Sequence, residues 1–296
     1  MKFSSKVEKC GQSPMRKFHP YAVAAKARGI KVYHLNIGQP DVQTPPAFFE
    51  AIRKFEQPVL EYAPSPGIPE LIDAIKGYYD KLDMHFDKSE IYITTGGSEA
   101  LSITLQCILD EPLQSFGSFA EEAPENIVVI DTVSKRFSAC GARIGCLITK
   151  NKELLGHALK YCQSRLSVAT LDQVASAHLY TVGPEYFAAV RDEYKKRRDT
   201  LVRKLREIPG VIFDCPKGAF YLMAALPVDD AEKFQQWLLE EFDNHGETVM
   251  FAPGAPMYAT PGKGLNEVRM AYVLEAEKIE RAMDILKKAI EVYNAK

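Results

Sequence analysis

Apolar residues fall at two spacings along the chain, and the alternation between them predicts its elements. Alternation marks a strand at Ile30–Ile37, a short strand signal returns at Ile91–Thr94, and continuous apolar runs mark buried strands at Ile127–Ile130 and Ile144–Ile148. Four more follow at Val211–Phe213, Phe220–Met223, Val249–Phe251 and Val268–Tyr272. Between them, apolar positions recur every three or four residues, as on one face of a helix. Leu71, Ile72, Ile75 and Tyr79 do so between Ile68 and Leu82, and Thr44-Pro45-Pro46 opens a shorter helix by capping and N-terminal proline logic. Thr95-Gly96-Gly97-Ser98-Glu99 runs into a helix that continues through Leu105 and Leu109. Helices are predicted from Leu154 to Tyr161, from Val168 to Tyr180 and from Pro184 onward through Phe187, Val190, Tyr194, Leu201, Leu205 and Ile208. Another spans Phe234 to Phe242, and a closing one carries Ile279, Met283, Leu286, Ile290 and Tyr293. Strands alternating with helices over this length predict an α/β fold, with a second, smaller α/β domain toward the C-terminus.

Composition narrows the chemistry. At 296 residues and 46% hydrophobic content the chain can bury a large core, and two domains are expected. A net charge of −2 offers no general attraction for nucleic acid or an anionic membrane, which leaves small-molecule chemistry as the expectation. The six cysteines are scattered without a C-x-x-C pair, and the six histidines show no H-E-x-x-H spacing. No metal site is expected, and the thiols read as those of a reduced, cytoplasmic protein. The start lacks the apolar core of a signal peptide and no apolar run is long enough to span a bilayer. Lys195-Lys196-Arg197-Arg198, flanked by Asp192, Glu193 and Asp199, reads as a solvated helix face.

The densest chemistry lies between the third and fourth predicted strands, in Asp131-Thr132-Val133-Ser134-Lys135-Arg136-Phe137-Ser138-Ala139-Cys140-Gly141-Ala142-Arg143. One amine, Lys135, is surrounded by the hydroxyls of Thr132, Ser134 and Ser138 and by the cation of Arg143. This set suits an aldehyde that also carries a phosphate. Gly96-Gly97-Ser98 follows a strand and opens a helix, so free backbone N–H groups and the positive end of the helix dipole offer a second anion site. Gly38 ends a strand where another group can approach the backbone closely, and Tyr62 is held in a loop stiffened by Pro64, Pro66 and Gly67. Arg269 is a guanidinium in the middle of an apolar strand, which calls for a carboxylate from the protein or from a substrate.

In this order the segments Leu35–Asp41, Tyr62 with Pro66-Gly67, Gly96–Leu101, Ser134-Lys135 with Arg143, Gly218–Tyr221, Pro253-Gly254 and Arg269 resemble the fold-type I, pyridoxal-phosphate-dependent aminotransferases of the aspartate aminotransferase group. The resemblance implies a mostly parallel sheet with flanking helices plus a smaller α/β domain. It implies an N-terminal segment at 1–40 packed with the small domain, a cofactor-binding domain at 41–190 and the small domain at 191–296. Pyridoxal 5′-phosphate is the implied cofactor, joined to Lys135 as an aldimine. Once released, Lys135 carries the proton between Cα and the cofactor. Gly97, Ser98 and Glu99 would supply helix-start donors to the cofactor phosphate, with Thr132, Ser134 and Arg143 completing the cradle. Arg269 would take the substrate α-carboxylate beside Gly38. Tyr62 would reach the phosphate of a neighbouring subunit, which makes a homodimer part of the site. An amino acid and a 2-oxo acid would be the substrates.

One part of the family pattern is not in the sequence. Between the helix ending near Leu109 and the strand at Ile127, the family carries an aromatic residue that stacks on the pyridine ring. It also carries an N-P-x-N-P-T-G turn and a D-E-x-Y stretch whose aspartate holds the ring nitrogen protonated. Here the chain passes directly from Ile108-Leu109-Asp110-Glu111 to Pro112-Leu113, as though about 100 residues, a small domain's worth, had been removed. Either the full protein carries that segment, or the chain is a shortened relative that keeps the dimer scaffold. The first is favoured, because loss of strands from a packed core is strongly destabilising. Amino transfer is the leading expectation. The alternatives are a lyase or decarboxylase on the same fold, or a non-catalytic dimeric scaffold.

Overall fold

Residues 16–108 and 124–296 are described by a computed structural model of the chain, so the Asp110–Leu113 junction lies outside the described residues. The chain divides into two units. One joins the chain up to Asp41 to Phe187–Lys296, and the other is Val42–Tyr186.

In the second unit three short strands form one sheet in the order β2-β4-β3: β2 (Ile91–Thr94), β3 (Val129–Thr132) and β4 (Gly145–Ile148). β4 is antiparallel to both neighbours, with Thr94 and Thr132 each opposite Gly145. The α/β class holds, but the ladders are mixed where the resemblance implied a mostly parallel sheet. The reason is local: the chain leaves β3 and returns at once as β4 through Val133–Ile144, which reverses its direction. The two outer strands still run the same way. Among the described residues β3 pairs only with β4, and Ile130 on it is 36% exposed. Against the sheet pack α4 (Gly96–Ile108) and α6 (Lys152–Ser164), burying Ala100, Ile103, Leu147, Leu155, Ala158 and Cys162. Around them lie α2 (Pro46–Arg53), α3 (Pro69–Asp80), α5 (Val133–Arg136) and α7 (Thr170–Ala177). Asn151 caps α6, its side chain accepting from the Leu154 N–H at 2.8 Å.

The first unit has two sheets. β1 (Lys31–His34) pairs in parallel with β7 (Glu247–Met250). β5 (Ile212–Phe213), β6 (Tyr221–Ala225), β9 (Glu267–Ala271) and β8 (Ala252–Pro253) form an antiparallel sheet in that order. The main core lies between these strands and three helices: α8 (Pro184–Arg206), α9 (Ala231–Glu240) and α10 (Ala276–Asn294). Leu201, Leu205, Phe234, Leu238, Ile279, Met283 and Leu286 all point into it, so the three- and four-residue steps in the sequence mark the buried faces. α1 (His19–Ala27) covers Val32 and Met250 on the other side of β1 and β7.

The basic run on α8 departs from its sequence reading. Arg197 is 4% exposed: it donates to Asp41 and Glu193 and to the carbonyl of Val273. A buried guanidinium with two carboxylates and a carbonyl is an internal tie, and only its neighbours in the run form a solvated face.

Candidate functional site

Lys135 lies in α5, a single turn of helix that starts where β3 ends. Thr132 begins that turn as its cap. Its Oγ1 donates to the Ile144 carbonyl at 2.8 Å, accepts from the Ser134 N–H at 3.2 Å, and lies 2.9 Å from the Ser134 hydroxyl. With the Thr132 proton spent on Ile144, the Ser134 hydroxyl is the donor of that pair. The two hydroxyls just before Lys135 therefore hold each other, and the lysine itself is exposed.

Beyond the turn, Arg143 takes a left-handed backbone conformation with φ of 54°. Its guanidinium lies over the first residue of α4: a Cβ placed on Gly96 would sit 2.8 Å from Nη2. Thr132 lies on the other side of that helix start, its Cβ 3.8 Å from where a side chain at Gly97 would begin. β4 is wedged between them. A Cβ on Gly145 would lie 2.6 Å from the Gly96 carbonyl carbon and 2.7 Å from both Asp131 O and Gly97 N. Glycine at 145 thus lets β4 pass close enough to bring Thr132 and Arg143 to the N-terminus of a 13-residue helix, with Lys135 three residues beyond Thr132. A helix start with a guanidinium above it is a place for a dianionic phosphate.

Ser98 is exposed in the first turn of α4. The Glu99 carboxylate is already committed, accepting the Thr95 N–H at 2.6 Å and pairing with Arg165 at 2.9 Å. What Glu99 offers an anion is its backbone. Tyr62 is 80% exposed and hydrogen-bonds to none of these groups among the described residues. The loop that carries it is fixed nonetheless: Thr170 donates to the Glu61 carbonyl at 2.8 Å, and the buried side chain of Gln173 accepts the Ile68 N–H at 2.9 Å.

In the first unit the structure brings Gly38 and Arg269 together. The Ala271 N–H donates to the Leu35 carbonyl at 2.7 Å, which lays the segment after β1 against β9. Arg269 on β9 stacks its guanidinium 4.4 Å from the ring centroid of Tyr221 and donates from Nη2 to the Asn36 carbonyl at 3.4 Å. Tyr221 Oη occupies the space a side chain at Gly38 would need, 1.6 Å from a built Cβ. The guanidinium is held flat by the ring and the carbonyl, an arrangement suited to a bidentate carboxylate.

One residue near Lys135 was not singled out by the sequence. Cys140 read as one scattered thiol. Its Sγ lies 3.5 Å from Lys135 Nζ and donates to the Ser134 carbonyl at 3.2 Å, and its own carbonyl accepts from Arg143 Nη1 at 3.2 Å. The signal was its place between the lysine and the arginine. Asp131 is tied to Arg136 at 2.5 Å and accepts from the Tyr79 hydroxyl at 2.9 Å, while the Arg136 guanidinium lies 4.3 Å from the Tyr78 ring centroid. Burial, and then the Asp131 charge, push the Tyr79 phenol far above its usual range. Asp131 is a structural partner here. Among the described residues no cluster of metal-ligating side chains occurs, and no helix is long and apolar enough to cross a membrane.

Residues 109–286, more than half of the chain, match the model of the family described as aminotransferase class I and II. That span includes Thr132, Ser134, Lys135, Arg143 and Arg269. The aspartate aminotransferase of Pyrococcus horikoshii is 23% identical over 363 aligned positions, covering 88% of this chain and 91% of that protein. A probable aspartate/prephenate aminotransferase of Aquifex aeolicus is 22% identical over 392 positions, covering 97% and 98%. Since 392 exceeds the 296 residues of the chain by 96, at least that many positions of the Aquifex protein have no counterpart here. Among solved structures, a single mutant of Thermus thermophilus aspartate aminotransferase superimposes with a TM-score of 0.85 at 20% identity, over 98% of this chain and all of that one. An alanine aminotransferase from Pyrococcus furiosus gives 0.84 at 20% identity, with the same coverage.

Proposed function

Because the chain belongs to the aminotransferase class I and II family, enzymes that move an amino group between an amino acid and a 2-oxo acid, we propose that it does so with pyridoxal 5′-phosphate held on Lys135. The observation that supports this reading is that Thr132 and Arg143 flank the start of α4 while Lys135, three residues beyond Thr132, contacts Cys140, whose carbonyl receives Arg143. The amine fits the cofactor's aldehyde, and the helix start with Arg143 fits its phosphate. When bound, the cofactor supplies the electron sink that makes a Cα–H bond of the amino acid weak enough to break.

The chain's own residues do the rest. Gly97, Ser98 and Glu99 offer backbone N–H groups to the phosphate, and Arg143 neutralises its charge from above. Thr132 and Ser134 hold the α5 turn in shape so that Lys135 can accept and return a proton at the substrate Cα. Arg269, kept flat by Tyr221 and Asn36, takes the α-carboxylate, with Gly38 leaving the room. The exposure of Tyr62 on a fixed loop supports its use by a second copy of the chain, and hence a homodimer. The five described cysteines are free thiols, which supports a cytoplasmic setting.

The test is reductive trapping. The purified chain is incubated with pyridoxal phosphate, reduced with borohydride, digested and mapped by mass. The label is expected on Lys135, lost in Lys135→Ala, and accompanied by amino transfer from at least one amino acid. Label elsewhere, or transfer that survives in Lys135→Ala, overturns the assignment. Oxaloacetate rather than alanine as the product from aspartate separates amino transfer from decarboxylation.

A further inference from the structure

Among the five described cysteines, only Cys140 has a lysine amine in hydrogen-bond contact, with Lys135 Nζ 3.5 Å from its Sγ. The contact is fixed from both sides. The thiol donates to the Ser134 carbonyl at 3.2 Å, which turns the sulfur back toward α5, and the Cys140 carbonyl accepts from Arg143 Nη1 at 3.2 Å. Solvent reaches the pair, since Lys135 is exposed and Cys140 partly so. Cys146 and Cys162, by contrast, are 1% and 0% exposed. Cys215 is exposed, but the partner of its sulfur is the Pro216 carbonyl at 4.0 Å, which is no nucleophile. A reagent that oxidises thiols therefore meets, at Cys140, a sulfur with an amine already beside it.

We propose that Lys135 and Cys140 are a reversible modification site, at which a hydroperoxide oxidises the thiol and the amine then closes onto the sulfur as a sulfenamide. In the first step the sulfur takes one oxygen from the peroxide, the O–O bond breaks, and a sulfenic acid and water (or an alcohol) result. The sulfur is oxidised by two electrons and the peroxide reduced by two. In the second step the lone pair of the neutral amine attacks the sulfur, the S–O bond breaks, and the hydroxyl leaves as water with a proton from nitrogen. This condensation needs no further oxidant, and a sulfenic acid closes onto a backbone nitrogen in the same way. The flexible four-carbon stem of the lysine lets the amine cover the remaining gap. Two equivalents of a small thiol reverse the modification: the first releases the amine and forms a mixed disulfide, and the second releases the Cys140 thiol. The functional consequence rests on the reading that Lys135 holds pyridoxal phosphate. A nitrogen bonded to sulfur is not available to the cofactor's aldehyde, so oxidation closes the site and reduction reopens it.

The test uses the full chain freed of cofactor, treated with dilute hydrogen peroxide and mapped by mass after trypsin. The link blocks cleavage after Lys135, while the cut after Arg136 leaves Phe137–Arg143 attached through it. The joint peptide is expected to be about 2 Da lighter than the sum of its two parts, the two hydrogens lost on closure. Dithiothreitol should separate the parts, and neither Lys135→Arg nor Cys140→Ser should form the link. Cys140 that gains only oxygen while trypsin still cuts after Lys135 overturns the proposal. So does a joint peptide that persists in Lys135→Arg, since that is a disulfide. The second measurement is retention of pyridoxal phosphate on gel filtration by the parent chain. Retention should be lost after peroxide treatment and return with dithiothreitol. A link that forms without any loss of retention supports the modification and overturns Lys135 as the residue that holds the cofactor. A chain that retains no cofactor even before oxidation overturns that same reading, and the peptide map then decides the modification alone.

Discussion

The amine of Lys135 lies 3.5 Å from the thiol of Cys140, and that thiol donates in turn to the carbonyl of Ser134, one residue before the lysine. The loop that follows α5 thus folds back on the residue proposed to carry the chemistry. Because the Cys140 carbonyl also receives Arg143, one residue links the amine to the cation that lies over the start of α4.

Cys140→Ser preserves both a donor and an acceptor, whereas Cys140→Val keeps the bulk and loses them. Borohydride trapping of pyridoxal phosphate on Lys135 is expected to be close to the parent rate in the serine variant. In the valine variant it should be slower by about fivefold, the worth of one hydrogen bond of about 1 kcal/mol. Equal trapping in both variants would show that the thiol contact does not position the amine.

Asp131 and Arg136 form the ion pair directly beneath this turn, with side-chain exposures of 13% and 21%. Removing one partner leaves the other charged and poorly solvated. Asp131→Asn is expected to lower stability by about 3 kcal/mol, read as a fall in the urea midpoint with an unchanged slope. The double variant Asp131→Asn with Arg136→Met should recover part of that loss, because no unpaired charge remains. A strictly additive double variant would mean the pair is not coupled.

How much of this was legible in the sequence depends on how far apart the interacting residues are. The faces of α3, α8 and α10 are set by spacing within one helix, so Leu71, Leu201 and Ile279 are readable as core positions from that spacing alone. α1 escaped because its stretch opens on His19-Pro20 and four of its nine residues are alanine, with little contrast between faces. α5 read as a turn, since four residues are too few to show a period. The burial of Arg197 is decided by Asp41, 156 positions away, and no local pattern reports that. At the proposed site, the start of α4 and the α5 turn stood out because a glycine turn and a lysine loop are short motifs.

Glu247 offers a pH-dependent test in the first unit. Burial pushes its carboxyl up, but hydrogen bonds from Arg281, Tyr33 and Lys31 outweigh that and bring it down to about 2 from an ordinary 4.5. A depressed carboxylate contributes its stability in full above the unfolded value and loses it as pH falls toward the folded one. The difference in unfolding free energy between the parent and Glu247→Gln should therefore be constant above about pH 5 and close between pH 4.5 and 2. Urea titrations at a series of pH values measure this, and a difference that stays constant through the acid range would contradict the network.

Gly145 gives the sharpest test of how the proposed phosphate site is built. It lies opposite Thr94 on one side of the sheet and Thr132 on the other, and every atom that a Cβ would meet first belongs to backbone: Gly96 C, Asp131 O and Gly97 N, all within 2.7 Å. Side chains can rotate out of the way, but these atoms can move only if β4 separates from the start of α4. Gly145→Ala is therefore expected to cost about 3 kcal/mol, at the upper end of overpacking, and to weaken cofactor binding by pulling Arg143 away from the helix start. Gly156, in the middle of α6, is the control, since a Cβ there meets nothing within 4 Å. Gly156→Ala should stabilise the protein by about 0.5–1 kcal/mol through helix propensity and leave cofactor binding unchanged. Urea midpoints and the equilibrium retention of pyridoxal phosphate together decide the matter. If Gly145→Ala unfolds like the parent and binds the cofactor equally well, the close passage of β4 is not what assembles the site.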